Sequence, residues 1–424
     1  MEARQSVSEA RYVPHPGIPQ RLESVRKASA LALVGALTLI SGISVSISLA
    51  NDPALVDWSF THWAFTYDYG VVKRGLAGEV LSWVVKPYAL FSTVAWIALF
   101  NAIAVAVGLM FFVWRPFFRH GNAGLLAFAI LATTHFATLQ HFFYDVGRFD
   151  HLGLMLALVC IAFIEWSHGT AALVVILLCG TTGVLIHEAF AVAHAPLVLA
   201  YWLYSIPTGD VRWTRVLPVA AVALLLGILV VLISNTGPSI EQKALVTELT
   251  AKHGSWIQQK SVSVLFGGVA TEGPRSIQIF FTARRLVQHL VLAAFLIPTA
   301  VLFAKTIRTR ETTTRPARAD ASKAGMLVLA ALSPLGLYII GIDFARWWAL
   351  AITNVLLAVA LLMARSDTWR IACDRTLLEH RVWVWSALAL NFVAGPLGVA
   401  SSAFPRLEPL VNTAVLTVVR AIRG

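Results

Sequence analysis

The sequence predicts an all-α fold: a polytopic transmembrane helical bundle of about eleven spans (ten to twelve), with its N-terminus in the cytoplasm. Three observations predict it. Of 424 residues, 58% are hydrophobic and only 13% charged, far to the apolar side of a soluble domain. The apolar residues come in repeated runs of roughly 17 to 25, the length that carries a helix across a hydrocarbon core, and the weak ten-residue alternation of an outer-membrane barrel is missing. With the N-terminus inside, 19 of the 33 Lys and Arg residues fall in the segments that the alternation of spans puts in the cytoplasm, as the positive-inside bias requires.

The chain reads as one integral membrane domain over 1–424. Residues 1–27 carry Arg4, Arg11, Arg21, Arg26 and Lys27 and form a basic cytoplasmic tail. The run at 28–50 is too long for a signal-peptide core and reads as a retained signal anchor. Residues 51–88 are a first outer loop, and "VVKRGLAGEVLSWVVKPY" at 71–88 is apolar and basic enough to lie along the membrane surface. Spans follow at about 89–114, 122–139, 151–166, 170–187, 188–205 and 216–234. A long outer loop at 235–284 contains "SIEQKALVTELTAKHG", which predicts a surface helix closed by Gly254. The last spans are placed at about 285–304, 324–341, 345–363 and 382–402. Between two of them, 304–323 has six basic residues and many Thr and reads as a flexible cytoplasmic loop. After 402 the chain continues as an interfacial helix or a twelfth span.

Composition and motifs exclude several function classes. A net charge of +11 in such a chain serves first to hold loops inside, so nucleic acid is not an expected partner. Cys160, Cys179 and Cys373 are scattered and suggest neither a disulfide framework nor a metal knuckle. No phosphate-binding Gly-Lys loop, dinucleotide fingerprint or haem motif occurs, so no cofactor is assigned and a primary pump is disfavoured. A divalent cation is left open and no metal ligands are assigned. "HEAFAVAH" at 187–194 is not a zinc-protease motif. Its two histidines are seven residues apart, about 10 Å along a helix, too far for one ion.

The chemistry gathers at one face. "YDYGVVKRG" at 67–75 supplies Asp68, Lys73 and Arg74; "YDVGRFDH" at 144–151 supplies Asp145 and Arg148; "IHEAFAVAH" at 186–194 supplies His187 and Glu188; "GIDFARWWAL" at 341–350 supplies Asp343 and Arg346. Two of them, "DVGRF" and "DFARW", share one local pattern. Taken singly, each has a bland explanation: a local Asp/Arg pair is worth a few tenths of a kcal/mol, and Asp150 before an apolar run reads as an N-cap. Four such clusters on one face predict a polar chamber opening outward, because ionisable groups at membrane depth are costly and turn to bundle interiors or wet cavities. Arginine forks suit phosphate oxygens, so an anionic ligand follows, with Lys73, Arg74, Arg148, Asp343 and Arg346 forming its binding set. Asp68, Asp145, His187 and Glu188 are the candidates for accepting a proton.

Many spans, an Asp-bearing first outer loop with an amphipathic continuation, and the outer Asp/Arg/His cluster together resemble the GT-C superfamily of integral membrane glycosyltransferases. The likeness covers the layout of the first two-thirds of the chain. It implies a plasma-membrane (inner-membrane) enzyme whose partners are the bilayer, a polyprenyl-phosphate-linked sugar and an acceptor in the cell envelope, with transfer on the extracytoplasmic face. By the same likeness an acid of the first outer loop serves as base, Asp68 matching best with Asp52 and Asp57 as rivals, Asp145 is a second acid, and the arginines hold the carrier phosphate. The large soluble C-terminal domain of many members is not seen here. A polysaccharide polymerase or ligase, and a secondary transporter using paired Asp and Arg, are the alternatives.

Overall fold

The computed structural model describes Leu55 and residues 57–167, 169–206, 213–313, 318–398 and 403–423. The signal anchor at 28–50, the basic tail before it and Asp52 lie outside the described residues. Every described element is a helix. Helices α1 (Asp57–Trp63) and α2 (Gly75–Ser82) precede α3 (Leu90–His120), α4 (Ala123–Thr134), α5 (Leu139–Tyr144), α6 (Phe149–Trp166) and α7 (Thr170–Ile186). Short α8 (Phe190–Ala193) leads into α9 (Ala195–Ser205) and α10 (Trp213–Ser234). Then come α11 (Gln242–His253), α12 (Gln259–Ser263), α13 (Val269–Phe280), α14 (Ala283–Thr313), α15 (Arg318–Ala331), α16 (Phe344–Arg365), α17 (Asp367–Glu379), α18 (Arg381–Ala394) and α19 (Glu408–Arg423).

Six of the described helical segments are long and apolar enough to cross a membrane: Pro87–His120, Ala123–Tyr144, Phe149–Trp166, Val216–Ser234, Ala283–Thr312 and Phe344–Arg365. A seventh arises if α15 and the 3-10 turn Ser333–Ile339, bent by 42°, count as one span. Thr170–Ile186, Phe190–Ser205 and Arg381–Ala394 are apolar but shorter. A helix therefore stands at each of the ten expected positions within the described residues, but six of them, or seven with the bent pair, are long and apolar enough to cross a membrane.

Helix α16 is the axis. It packs against α3, α9, α15 and α17, and its middle, Ala349 to Met363, is almost entirely buried. Its many alanines allow those neighbours to approach closely, the usual source of cohesion where lipid is as apolar as the protein. Outer helices behave oppositely: Leu224, Leu225, Val231 and Leu232 of α10 are exposed, as a lipid-facing surface requires.

The span Ala123–Tyr144 is interrupted between α4 and α5, and the interruption is satisfied from within. Thr138 Oγ1 donates to the Ala132 and His135 carbonyls at 2.7 and 2.9 Å, Gln140 Nε2 to Thr134 at 2.7 Å, and Thr353 Oγ1 of α16 to Ala137 at 2.8 Å. The Leu397 amide covers the Phe136 carbonyl. With no water at membrane depth, a broken helix persists only where such partners exist.

The segments 57–88 and 235–284 form one body, a cap on one end of the bundle. Gln258 N–H donates to Thr61 Oγ1 at 2.8 Å, Ser239 N–H to the Tyr69 carbonyl at 2.8 Å, and Tyr69 O–H to Glu248 at 2.8 Å. Leu245 and Leu249 of the expected surface helix α11, closed by Gly254 at φ 74°, join Phe60, Trp63, Phe65 and Val262 in a common core. That core continues into the bundle through Leu90, Val94, Phe149 and Ile186. Trp83, Val84 and Tyr88, in the stretch expected at the membrane surface, are exposed.

One expectation is revised here. The basic segment 304–323 is largely helical, since α14 runs to Thr313 and α15 begins at Arg318. Lys and Arg are good helix formers, and no proline follows Pro298 until Pro316, so the polarity that marks a loop does not break the helix.

The closest approach in the cap depends on Gly78 of α2. A Cβ there would stand 2.1 Å from the Phe65 carbonyl oxygen and 2.6 Å from that of Trp63. Gly78→Ala should destabilise the protein by about 1–3 kcal/mol, the usual cost of overpacking. Gly227→Ala on α10, where an added Cβ meets nothing, should be neutral or stabilising by about 0.5–1 kcal/mol. Thermal unfolding of the two variants in detergent checks the pair, and equal effects would contradict it.

Candidate functional site

The sequence clusters at 144–151, 186–194 and 341–350 meet at one end of the bundle, under the cap. Helices α6 and α16 both begin there, and α7 ends there. Arg346, near the start of α16, holds Asp150 with Nε and with Nη2, the latter at 2.8 Å. Its Nη1 reaches Asp343 at 3.2 Å, and Nη2 also donates to His187 Nε2 at 3.1 Å. Arg148 donates to Asp145 at 3.0 Å and lies 3.6 Å from Asp343. On the cap side, Arg74 Nη2 pairs with Glu188 at 2.9 Å, and Nη1 donates to His62 Nε2 at 3.2 Å. His187 Nδ1 accepts the Ala189 N–H at 3.1 Å and lies 3.5 Å from Glu188. A chain of polar contacts runs from Arg74 through Glu188, His187 and Arg346 to Asp150, with Asp343, Arg148 and Asp145 branching from it.

Local structure explains how these groups reach each other. Gly147, at φ 91°, turns the chain between Asp145 and Arg148 in a conformation other residues rarely adopt. A side chain there would strike Leu55 at 2.3 Å. Trp63 Nε1 fixes α1 to this turn through the Gly147 carbonyl at 2.8 Å. Arg74 is itself left-handed, φ 63°, the sole non-glycine so found among the described residues. Backbone strain of this kind costs about 1–3 kcal/mol and is held only where surroundings over-determine it. The carboxylates of Asp150 and Asp343 sit at the N-terminal ends of α6 and α16, where unpaired N–H groups favour negative charge.

Burial is graded. Side-chain exposure is 5% for both Asp150 and Arg346, 11% for Arg74 and 19% for Glu188. Burial holds the His62 imidazole well below its usual value, and the charge of Arg74 adds to this. His187 is lowered by burial first and then by Arg74. Burial alone would raise the Glu188 carboxyl, but Arg74 and His187 beside it hold it well below the usual range. Both histidines are therefore neutral and Glu188 ionised near pH 7.

Seven of the nine residues singled out in the sequence lie in this assembly. Lys73 is buried and its ammonium donates to the Gly267 carbonyl of the long loop, which ties the two loops together. Burial lowers its pKa. Asp68 stands apart, exposed on the turn Tyr67–Tyr69, where it accepts a hydrogen bond from Thr66 at 3.0 Å. Two members were missed. Asp150 read as an N-cap, but Arg148 occupies that position and Asp150 bonds Arg346 across the bundle; an acid before an apolar run looks the same in either role. His62, in "FTHW", carries no local signal. His194 is buried against Gly153. Among the described residues no group of three or more His, Cys, Asp or Glu side chains is placed to hold a metal ion.

No protein-family model, no curated protein and no solved structure matches this chain.

Removing one partner from a buried ion pair leaves an uncompensated charge. Arg346→Met should therefore cost about 3–5 kcal/mol, whereas Arg375→Ala, breaking the exposed pair with Glu379 at 2.6 Å, should cost less than about 1 kcal/mol. Chemical denaturation of both in detergent gives the comparison, and similar losses would argue against a cluster that organises the fold. The pH dependence has a defined sign. His62 and His187 bind protons less readily folded than unfolded, so stability should fall as pH drops below their ordinary 6.5. A further loss belongs to Glu188 below 4.5. Midpoints measured from pH 7.5 to 5.5 should decline, and His62→Gln should flatten the decline.

Proposed function

We propose that this chain is a GT-C-like membrane glycosyltransferase of about eleven spans in the plasma (inner) membrane, moving a sugar from a polyprenyl-phosphate-linked donor to a cell-envelope acceptor on the extracytoplasmic face. The observation that carries this reading is the assembly of Arg74, Arg148 and Arg346 with four carboxylates at one end of the bundle beneath a cap made of both outer loops. Basic forks suit a lipid phosphate, and a hydrophobic cap limits access of water to an activated sugar.

The guanidiniums are already occupied by carboxylates, and this defines the chemistry. Arg74 and Glu188 are the more exposed partners, so an incoming phosphate exchanges with Glu188 on the Arg74 fork. Released from Arg74, the Glu188 carboxylate loses the charge that holds its pKa down and becomes a stronger base. It then takes the proton of an acceptor hydroxyl as that oxygen bonds the anomeric carbon and the carbon–phosphate oxygen bond breaks. The electron pair leaves on the lipid phosphate, stabilised by Arg74 and its neighbours. Neutral His187, between Glu188 and Arg346, passes the change in charge to the interior. Asp68 on the exposed turn is the second base candidate. A secondary transporter is the alternative reading.

The test is transfer from polyprenyl-phosphate sugars by purified protein in liposomes. Glu188→Gln should reduce transfer by roughly 10²–10⁴, the range for losing a general base, with Arg375→Ala unaffected. If Asp68→Asn and not Glu188→Gln abolishes transfer, the base is Asp68. Full rates in both would sink the mechanism, and accumulation of labelled substrate inside vesicles would instead favour transport.

A further inference from the structure

When Glu188 leaves the Arg74 fork in the proposed exchange, the guanidinium needs another hold. The contacts of Arg74 divide by edge. Its Nε and Nη2, at 3.4 and 2.9 Å from the two oxygens of Glu188, form the edge that faces the carboxylate. Its Nη1 donates to Nε2 of His62 at 3.2 Å. A guanidinium can only donate, so Nε2 is the bare ring nitrogen and the imidazole proton is on Nδ1.

His62 is anchored by contacts that do not involve Glu188. It is 4% exposed and lies against the rings of Trp58, Phe65 and Phe149, with centroids at 5.8, 5.7 and 6.1 Å. On either side of it in α1, Thr61 is tied to Gln258 of the long loop and Trp63 to the Gly147 carbonyl. The ring is also kept neutral, and therefore an acceptor. Burial first, and then Arg74 at the start of α2, Arg148 before α6, His187 after α7 and Arg346 of α16, all oppose a proton on it. The origin of the Arg74 side chain is fixed as well. Its backbone is left-handed, and at the next residue a Cβ on Gly75 would stand 2.6 Å from the Tyr67 ring.

We propose that His62 is a positioning residue: it holds the Arg74 guanidinium by Nη1, so that the Nε/Nη2 edge keeps its aim when Glu188 gives way to a phosphate group. That edge carries two parallel N–H groups, the pattern that matches two phosphate oxygens. An arginine held by the displaced acid alone would lose its orientation on exchange and would have to be ordered again by the ligand; one held by His62 is ordered beforehand. The role rests on the glycosyl-transfer reading and adds to it the group that preorganises the phosphate fork.

Full-length protein in detergent is titrated with farnesyl phosphate, a short polyprenyl phosphate, and separately with inorganic phosphate at constant ionic strength, following the thermal midpoint. Farnesyl phosphate should raise the wild-type midpoint. His62→Phe keeps a ring without an acceptor and should weaken that ligand roughly tenfold, within the worth of one hydrogen bond to a charged group. His62→Leu repeats the loss in a smaller side chain, should a phenyl ring not fit. His62→Gln offers Oε1 as the acceptor and should recover most of the affinity. A merely structural role would lower the ligand-free midpoint and leave phosphate affinity unchanged. Unchanged affinity in both His62→Phe and His62→Leu, or no recovery in His62→Gln, overturns the positioning role. No phosphate response in the wild type overturns it together with the anion site. A response to inorganic phosphate alone, weakened in His62→Phe, would keep His62 in this role and remove the lipid-linked donor.

Discussion

The constraint on which the rest depends is the cost of taking charge out of water. An unpaired ion in the bundle would cost several kcal/mol, and attraction repays this only where geometry supplies close partners and further hydrogen bonds. Arg346 meets that demand with Asp150, Asp343 and His187 together. The partners come from α6, α16 and the turn after α7, so those three ends are held at one level. Arg74 carries the same constraint into the cap, since Glu188 can stay ionised under it only if α2 begins where it does. The left-handed backbone at Arg74 and the missing side chain at Gly78 are consequences of bringing that arginine close to the bundle.

A saturated network also sets how a ligand can act. Adding an anion to arginines that already bear carboxylates brings little attraction until a carboxylate leaves, so binding and release of an internal acid are one event. The gradient of exposure decides which acid goes. Asp150 and Arg346 are sealed, whereas Glu188 and Arg74 lie at the rim. Exchange at the rim changes the charge felt by His187, which touches Arg346, and thus reaches the interior without opening it. In the proposed transferase the strong inner pair is kept for architecture while the weaker outer pair takes part in chemistry.

Much of this was legible in the sequence. Apolar run lengths locate helices at every expected position within the described residues, and the alternation of basic segments brings 145–148, 187–188 and 343–346 to one end, where contacts join them. Pairing across the chain was not legible. Asp150 and Arg346 are 196 residues apart, and Asp150 carries the same local signature as a helix cap. The union of segments 57–88 and 235–284 depends on contacts such as Thr61 with Gln258, between short helices with no shared pattern. The helical course of 304–313 was hidden for another reason: composition reports solvation, and a solvated segment can be helix or loop.

The opposite end of the same helices shows what a purely architectural cluster looks like. Glu165, near the end of α6, receives Arg115 at 2.6 Å, Arg365 of α16 at 2.7 Å and the Tyr201 hydroxyl. Asp150 and Glu165 are fifteen residues apart, about 22 Å along α6 at helical rise, so two carboxylate–arginine ties pin α6 to α16 near the two limits of an apolar core. None of the four side chains in the Glu165 cluster has a buried polar atom left without a partner. At the capped end the ties to Arg346 are equally complete. Beside both clusters buried indole nitrogens stand without a partner, Trp114 and Trp202 next to Arg115 and Tyr201, and Trp58 at the capped end. The two ends therefore close α6 on α16 in the same way, and what sets the capped end apart is the second layer of charge that Arg74 and Glu188 bring from α2 and the turn after α7.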